Sequence, residues 1–433
     1  MSTELLAPVG FAALFALMLL QVPIGLAMAI VGFTGYAIVV GFGPAMAVLA
    51  SAPIRTASDP ALALLPLFIL MGVVAFRSGI SGRLFDAGLK TLGHRRGGLA
   101  LSTIAASAGF AAICGSSAAG AATMTKIAMK PMRSSGYDHG IAAATIAVGG
   151  TLGILIPPSV ALAVFGILTE QDIGRLFMAG VVPGLLAVIM HMAVISIVAR
   201  LAPHRLPHGR RFSWTERSAA YAKVWPVILI FLLVLGGMYF GYFTPTEAAA
   251  MGAIFTILIG LLRRHLPLPQ LGGALVETCR TSAAIFVILI GAVVFGYFLA
   301  ITGAPHTIAG WIGELDLPPL AILGLILVGY LILGCFLDSL AMIVLTVPII
   351  FPIVQNLGFD PIWFGILVVI TIELGLITPP IGLNVFVIKS IEPDLSLGSI
   401  YKGVLPFIGM DIIRLALLVA FPWLVLALPN SMG

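Results

Sequence analysis

The sequence predicts an all-α polytopic membrane protein, built as an inverted-topology repeat with two re-entrant hairpins and two helices broken by Pro-Pro pairs. The first observation is composition, because 60% of the 433 residues are hydrophobic and only 9% are charged. Soluble domains carry roughly 25% charged residues, so this chain needs a bilayer as its solvent. The second is that motifs of the first half recur in the second at a near-constant spacing. The third is a Pro-Pro pair inside an apolar segment of each half.

The Pro-Pro pairs lie in the stretches TLGILIPPS (151–159) and ELGLITPPIGLN (373–384). Proline has no backbone N–H and disfavours helix in the residue before it, so neither helix continues through its pair. The preceding carbonyl groups lose their helical partners, and lipid cannot replace them. A helix broken at this depth must be buried in protein or line a cavity that holds a ligand or an ion. Two such breaks predict a transport site.

The repeat is visible as matched motifs. Pro157-Pro158 and Pro379-Pro380 are separated by 222 residues (157 to 379), as are Asp138 and Asp360, each preceded by Gly and an aromatic residue. A constant spacing over most of the chain is evidence for an internal repeat. We count five crossings and one hairpin in each half. An odd number of crossings turns the second half upside down relative to the first.

Each half is predicted to contain scaffold helices, one hairpin and one broken helix. Residues 1–200 form the first repeat, with its hairpin at 99–132 and its broken helix at 139–168; residues 225–433 form the second, with its hairpin at 318–354 and its broken helix at 361–388. Both ends of the 99–132 segment are basic, which favours a hairpin that enters and leaves on one side. The basic loop 201–224 is cytoplasmic by the positive-inside rule, and both chain ends face the periplasm.

The inverted repeat brings the two hairpin tips and the two breaks towards the bilayer midplane. Carbonyl oxygens of unwound backbone and hydroxyl oxygens of nearby side chains are suitable ligands for sodium. Helix N-termini favour an anionic substrate. The first predicted sodium site comprises Ser116, Ser117, Gly150, Thr151, Gly153, Ile156 and Ser159. The second comprises Gly334, Asp338, Gly375, Thr378 and Ile381. The predicted substrate contacts are Gly115, Pro157, Pro379 and Asn384.

A structural role is the alternative for several of these residues. The serines could simply hydrogen-bond helix backbone, as Ser and Thr often do in membranes. Carboxylates are costly in a bilayer, so Asp338 and Glu373 are functional hypotheses, although Glu373 has Thr151 as its repeat equivalent and could be structural. Asp411 and Arg414, three residues apart, are expected to pair. His191 is interpreted as a packing residue.

Other function classes are disfavoured. Nucleic-acid binding is disfavoured because the sequence lacks a basic run with interleaved aromatic residues. ATP-driven transport is disfavoured because the sequence lacks a GxxxxGK[ST] loop. The sequence has no His/Glu cluster with metal spacing and no paired nucleophile and base, so neither an enzyme nor a transition-metal site is predicted. We expect no organic cofactor.

The motifs resemble those of the large membrane subunit of tripartite ATP-independent periplasmic (TRAP) transporters, the DctM-like permeases. The resemblance covers nearly the whole chain and rests on motifs that begin at residues 21, 115, 153, 243, 336 and 377, which read QVPIG, GSS, GILIPPS, FTPTEAA, FLD and ITPPIGLN.

The resemblance implies a secondary importer in a bacterial inner membrane, which couples sodium to the uptake of a small organic anion by an elevator mechanism. Family substrates are often dicarboxylates or sugar acids such as sialic acid. It also implies two protein partners, a small four-helix membrane subunit and a soluble periplasmic substrate-binding protein. The alternative is a stand-alone ion or dicarboxylate transporter of the broader inverted-repeat hairpin class, which needs no binding protein.

Overall fold

The computed structural model describes residues 3–304, 307–308, 310 and 317–432. Within these residues the regular secondary structure is helical, apart from an isolated β-bridge between Arg96 and His208. Eight of the described helices are long and apolar enough to cross a membrane, and several shorter apolar helices accompany them. The predicted all-α polytopic membrane class is confirmed.

The first half contains scaffold helices, a hairpin and a broken helix in the predicted order. Its helices are α1 (Thr3–Leu19), α2 (Ile24–Val40), α3 (Phe42–Ala57), α4 (Leu64–Arg77), α5 (Ile80–Leu92), α6 (Gly98–Cys114), α7 (Ser117–Ser134), α8 (His139–Leu155), α9 (Val160–Thr169) and α10 (Ile173–Leu201). Helices α6 and α7 form the first hairpin, and α8 and α9 are the two parts of the first broken helix.

The second half repeats this order. Its helices are α11 (Trp214–Phe231), α12 (Pro245–Leu262), α13 (Leu268–Thr302), α14 (Pro319–Gly334), α15 (Ser339–Asn356), α16 (Pro361–Gly375), α17 (Leu383–Ile391), α18 (Leu397–Ala420) and α19 (Trp423–Leu426). Helix α11 continues through a π-helical turn, Leu232–Gly236. Helices α14 and α15 form the second hairpin, and α16 and α17 are the second broken helix.

The same local chemistry begins the helices of both repeats. The carboxylate of Asp138 accepts a hydrogen bond from Ile141 N and so caps α8, and Asp360 caps α16 in the same way. An N-cap side chain satisfies an amide that has no partner within its helix, and lipid cannot do so. Thr244 and Glu247 form the capping box of α12, so Glu247 marks the start of this helix.

Two helices of the first half occupy stretches that the predicted hairpin and broken helix do not include. Helix α3 occupies the Pro/Gly-containing stretch before residue 60, and α5 occupies the polar, basic stretch that follows α4. The predicted basic loop 201–224 is also partly helical in the structure. Helix α10 continues to Leu201 and α11 begins at Trp214, because Ser213 and Glu216 form a capping box that was not recognised in the sequence.

Contacts at the helix ends fix the relative orientation of the repeats. Arg133, near the end of α7, forms an ion pair of 2.9 Å with Glu392, which directly follows α17. At the other end of the molecule, Arg175 at the start of α10 donates to Asn430 beyond the end of α18, at 3.0 Å. The repeat-related helices α10 and α18 therefore run in opposite directions, as an inverted repeat requires.

Glycine permits the closest helix crossings. A Cβ on Gly25 of α2 would lie 2.6 Å from the carbonyl oxygen of Val287 in α13, and one on Gly403 of α18 would lie 2.5 Å from that of Gly140 in α8. Small residues let backbones approach in this way, and packing then supplies the attraction that hydrophobicity does not provide in lipid.

The inverted fold predicts that residues 211 and 242, at the two ends of α11, face opposite sides of the membrane. Residues 211 and 242 are both exposed and therefore suitable for labelling. The substitutions Arg211→Cys and Tyr242→Cys are each made in a variant whose three native cysteines are replaced by alanine. In intact cells an impermeant thiol reagent should label residue 242 and not residue 211. Inside-out vesicles should reverse the result, whereas labelling of both residues from one side would contradict the topology.

Candidate functional site

The tip of the first hairpin packs against the first broken helix. Ser116 caps α7 by accepting from Ala119 N at 3.5 Å. A Cβ on Gly153 would lie 2.8 Å from the carbonyl oxygen of Ser116, and one on Gly150 would lie 2.8 Å from Cβ of Ala121. The glycines of α8 therefore allow the hairpin backbone to lie directly against the helix. The structure brings together the hairpin and helix parts of the first predicted sodium site.

The second hairpin makes the equivalent contact. A Cβ on Gly375 would lie 2.6 Å from the carbonyl carbon of Gly334, so these two backbones touch. Gly382 N donates to the carbonyl oxygen of Cys335 at 3.3 Å, which joins the second break to the same tip. Asp338 caps α15 by accepting from the amides of Leu340 and Ala341 at 2.9 and 3.2 Å.

One side-chain contact joins the repeats to each other. Ser117 Oγ of α7 lies 2.7 Å from Asn384 Nδ2 of α17, and that amide also donates to the carbonyl oxygen of Ala147 at 3.1 Å. Ser117 and Asn384 are both buried. A predicted sodium ligand of the first repeat therefore contacts a predicted substrate residue of the second. The sequence predicted that the hairpin tips and breaks of the two repeats come together, but not that these two residues are in contact.

The two breaks differ in their surroundings. The first break, residues 156–159, is buried throughout, and Ser159 caps α9 by accepting from Leu162 N at 3.2 Å. In the second break, Pro379 and Pro380 are exposed and Ile381 is 36% exposed. The Tyr401 hydroxyl lies 3.0 Å from the carbonyl oxygen of Pro380 and 2.5 Å from that of Ile381. Tyr401, which was not predicted, thus binds carbonyls that the break leaves without helical partners.

The two predicted threonine ligands bind helix backbone. Thr151 Oγ1 donates to the carbonyl oxygen of Val148 at 2.8 Å, and Thr378 Oγ1 donates to that of Leu374 at 2.6 Å. These bonds use the hydroxyl protons and leave oxygen lone pairs that are able to face a cation. The sodium-site assignments stay predictions.

A central cavity of about 410 Å³ lies between the hairpins and the scaffold helices α4 and α13. Both hairpins and α13 supply hydroxyl groups to its wall: Ser116, Ser117, Thr123, Thr281 and Ser339. The remainder of the wall is largely aliphatic. A concave, mainly apolar site with a few polar groups is typical of a small-molecule binding site.

The predicted substrate residues do not all reach this cavity. Gly115 lies in its wall, with Ser117 beside it. Asn384 is fully buried behind Ser117, Pro157 is buried in the first break, and Pro379 lies outside the wall. Asp338 and Leu376 bring the second hairpin and the second break to the cavity. Residues Thr123, Lys126, Glu277 and Thr281 were missed, because helical spacing alone did not reveal that α7 and α13 face the same space.

A buried network of charged and polar residues lies beside the second break. Arg414 Nη2 of α18 lies 3.3 Å from Asp411 Oδ1 and 3.4 Å from Glu373 Oε2, and His191 Nε2 lies 2.8 Å from Asp411 Oδ1. All four residues are buried. The Asp411–Arg414 pair agrees with the prediction. The sequence left the role of Glu373 open, and it gave no sign that His191 would join the network through Asp411.

The fold and the cavity define a multi-pass membrane protein of the transporter class. Residues 11–424 match the family described as the tripartite ATP-independent periplasmic transporter, DctM component. The chain belongs to this family of TRAP large permease subunits, as the motifs indicated.

Individual relatives agree with this assignment. The C4-dicarboxylate TRAP transporter large permease protein DctM of Pseudomonas aeruginosa is 38% identical over 404 residues, which are 93% of this chain and 94% of that protein. The sialic acid TRAP transporter large permease protein SiaM of Vibrio cholerae is 32% identical over 367 residues, 84% of this chain and 85% of that protein. The isethionate TRAP transporter permease protein DctMQ of Oleidesulfovibrio alaskensis is 36% identical over 93% of this chain and 62% of its own length.

The fold is similar to that of a solved structure at low sequence identity. The YdaH transporter of Alcanivorax borkumensis, whose crystal structure is described as having an unusual topology, aligns with a TM-score of 0.64 at 15% identity. The alignment covers 89% of this chain and 90% of YdaH. This likeness concerns the fold alone.

We expect Arg414→Met to destabilise the protein strongly. Breaking a buried ion pair costs about 3–5 kcal/mol, because Glu373 and Asp411 lose their cation and face each other as like charges. Chemical denaturation in detergent measures the loss. Lys90→Met is the matched control: Lys90 pairs with Asp86 at 2.8 Å on the surface, where a pair contributes about 1 kcal/mol or less. Adding Glu373→Gln to Arg414→Met should restore part of the stability, and equal losses for Arg414→Met and Lys90→Met would contradict this account.

Proposed function

We propose that this protein is the transport subunit of a sodium-coupled importer of a small organic anion of the dicarboxylate or sugar-acid class. One observation carries the proposal. The tips of two inverted hairpins, each packed on a broken helix, meet at one cavity beside scaffold helices. Discontinuous helices of inverted repeats place their termini and unwound carbonyls around substrates and coupling ions in membrane transporters. The family membership and the names of the relatives support the same class of substrate.

Sodium is proposed as the coupling ion because the breaks offer mainly neutral oxygen ligands. Around the first break these are the Ser116 and Ser159 hydroxyls and the carbonyls of α8; around the second they include Thr378. Proton relays in membranes use chains of ionisable residues instead. In the described residues, the carboxylates that line the central cavity are Asp338 and Glu277, and Glu277 already pairs with Arg77 at 2.6 Å.

An elevator movement is proposed because the central cavity lies at a boundary. One side is formed by the hairpin tips, and the other by residues of α4 and α13, including Ile69 and Thr281. In this proposal the hairpins and broken helices carry the anion across the membrane while the scaffold helices stay in place. The proposed partners are a small four-helix membrane subunit and a soluble periplasmic binding protein that delivers the anion. The proposed location is a bacterial inner membrane.

The proposed coupling predicts uptake without ATP. The chain, reconstituted into vesicles with its small membrane subunit and loaded binding protein, should accumulate the anion against its gradient when sodium is imposed outside. Removal of sodium from both sides should abolish accumulation, even when a proton gradient is present. Equal uptake driven by protons alone would remove sodium coupling from the proposal. Uptake by the chain without binding protein would favour the stand-alone alternative.

Thr378→Val should weaken sodium dependence while leaving the fold intact. Valine keeps the β-branched shape but deletes the oxygen, and a charge-assisted contact is worth roughly 1.5–3 kcal/mol, or about tenfold to a hundredfold in affinity. The sodium concentration for half-maximal uptake should rise by that factor. Thr371→Val is the matched control, since Thr371 lies in α16 outside the predicted sodium site and donates to Leu367 O at 2.8 Å, as Thr378 donates to Leu374 O. If the two variants behave alike, the Thr378 hydroxyl serves only the helix.

A further inference from the structure

The charged groups in the wall of the central cavity differ in how they are paired. In the described residues these groups are Lys126, Glu277 and Asp338. Glu277 Oε2 pairs with Arg77, whose Nη2 and Nε lie at 2.6 and 3.1 Å. Asp338 accepts two backbone amides at the start of α15, where the helix dipole favours its negative charge. Lys126 makes no hydrogen bond or ion pair with any residue that the structure describes.

Lys126 lies on the face of α7 that lines the central cavity, as the hairpin tip does. Ala122 and Thr123 are each three or four residues from both Ala119 and Lys126, and all four residues line the cavity. This spacing places them on one face of the helix. The two alanines are small, so the space above this face is free for a ligand between the tip and the lysine.

We propose that Lys126 binds a carboxylate or sulfonate of the transported anion while the cavity is open towards the basic face of the protein. The inference rests on the proposed function and adds the residue that selects for negative charge. Lys126 is exposed at the wall of this cavity, where a positive charge attracts anions and raises their local concentration. A lysine ammonium is a compact point charge on a flexible stem, which suits a ligand that binds and then leaves.

The location of Lys126 assigns it to the cytoplasmic part of the path. Helix α7 rises about 1.5 Å per residue, so Cα of Lys126 is about 10 Å further along the helix axis than that of Ala119. The helix then continues towards the basic end at Arg133, which the positive-inside rule places on the cytoplasmic side. An anion that leaves the hairpin tips for the cytoplasm therefore passes this ammonium group.

Lys126→Met, Lys126→Arg and Lys130→Met test the inference. Lys130 is a matched control, because it is an exposed lysine one turn further along the same helix and outside the cavity wall. The purified complex of the chain with its small subunit is titrated with succinate, isethionate and sialic acid, and ligand-induced stabilisation against heat is measured. Succinamide, the uncharged diamide of succinate, serves as the neutral probe.

At least one anion should stabilise the parent, and succinamide should not. Lys126→Met should raise the half-saturating concentration of that anion about tenfold or more, the effect of losing one charge-assisted contact. Lys126→Arg should stay close to the parent, and so should Lys130→Met. All variants should melt at the parent's temperature without ligand, since Lys126 has no described partner to lose.

Three results would overturn the inference while leaving the proposed function intact. One is unchanged anion affinity in Lys126→Met, and another is an equal loss in Lys126→Met and Lys130→Met, which would reflect general surface charge. Equal weakening in Lys126→Met and Lys126→Arg would also contradict a role for the positive charge. If no anion stabilises the parent and the reconstituted complex takes up none of them, the proposed function itself fails.

Discussion

The structure depends on one constraint: lipid cannot hydrogen-bond a backbone that leaves its helix. Each broken helix therefore packs against the hairpin of its own repeat, and the two backbones lie close together because glycine faces backbone at the contact. Gly153 allows the carbonyl of Ser116 to approach, and Gly375 lies against Gly334. A Cβ at either glycine would separate hairpin from helix. The break in each helix thus has two effects. It makes backbone polar groups available for a ligand, and it requires a hairpin to pack against it.

The buried network around Arg414 adds a second level of constraint. It joins the long helices α10 and α18, one from each repeat, to the end of α16 just before the second break. Charges in a bilayer are expensive unless they are paired, so this arrangement resists separation of the three helices. The hairpin contacts act within each repeat, whereas the His191–Asp411 and Ser117–Asn384 contacts act between them. Together they tie the hairpins and broken helices to one another and to the long helices α10 and α18.

Much of the fold could be predicted from the sequence because its signals are local. Pro157-Pro158 and Pro379-Pro380 define the breaks, and the basic ends of the first hairpin define its re-entrant path. The helices α3 and α5 carry no such signal, because neither is apolar enough to resemble a span. The residues of the cavity wall were harder to predict from the sequence.

They depend on packing between segments far apart in the sequence. This packing decides which face of α7 meets α13 and whether His191 reaches Asp411. Tyr401 gave no local signal that its hydroxyl would bind the carbonyls of the second break.

The Ser117–Asn384 contact also makes the two repeats unequal. Its partners are not interchangeable between the repeats, since the position equivalent to Asn384 is Leu162 and that equivalent to Ser117 is Ser339. If two copies of the first half were assembled in place of the natural pair, Leu162 would face the Ser117 hydroxyl and leave it without this partner, at a cost of about 1–3 kcal/mol. The repeat is thus preserved in the backbone but not in this side-chain contact, because the second half supplies an amide that the first half lacks.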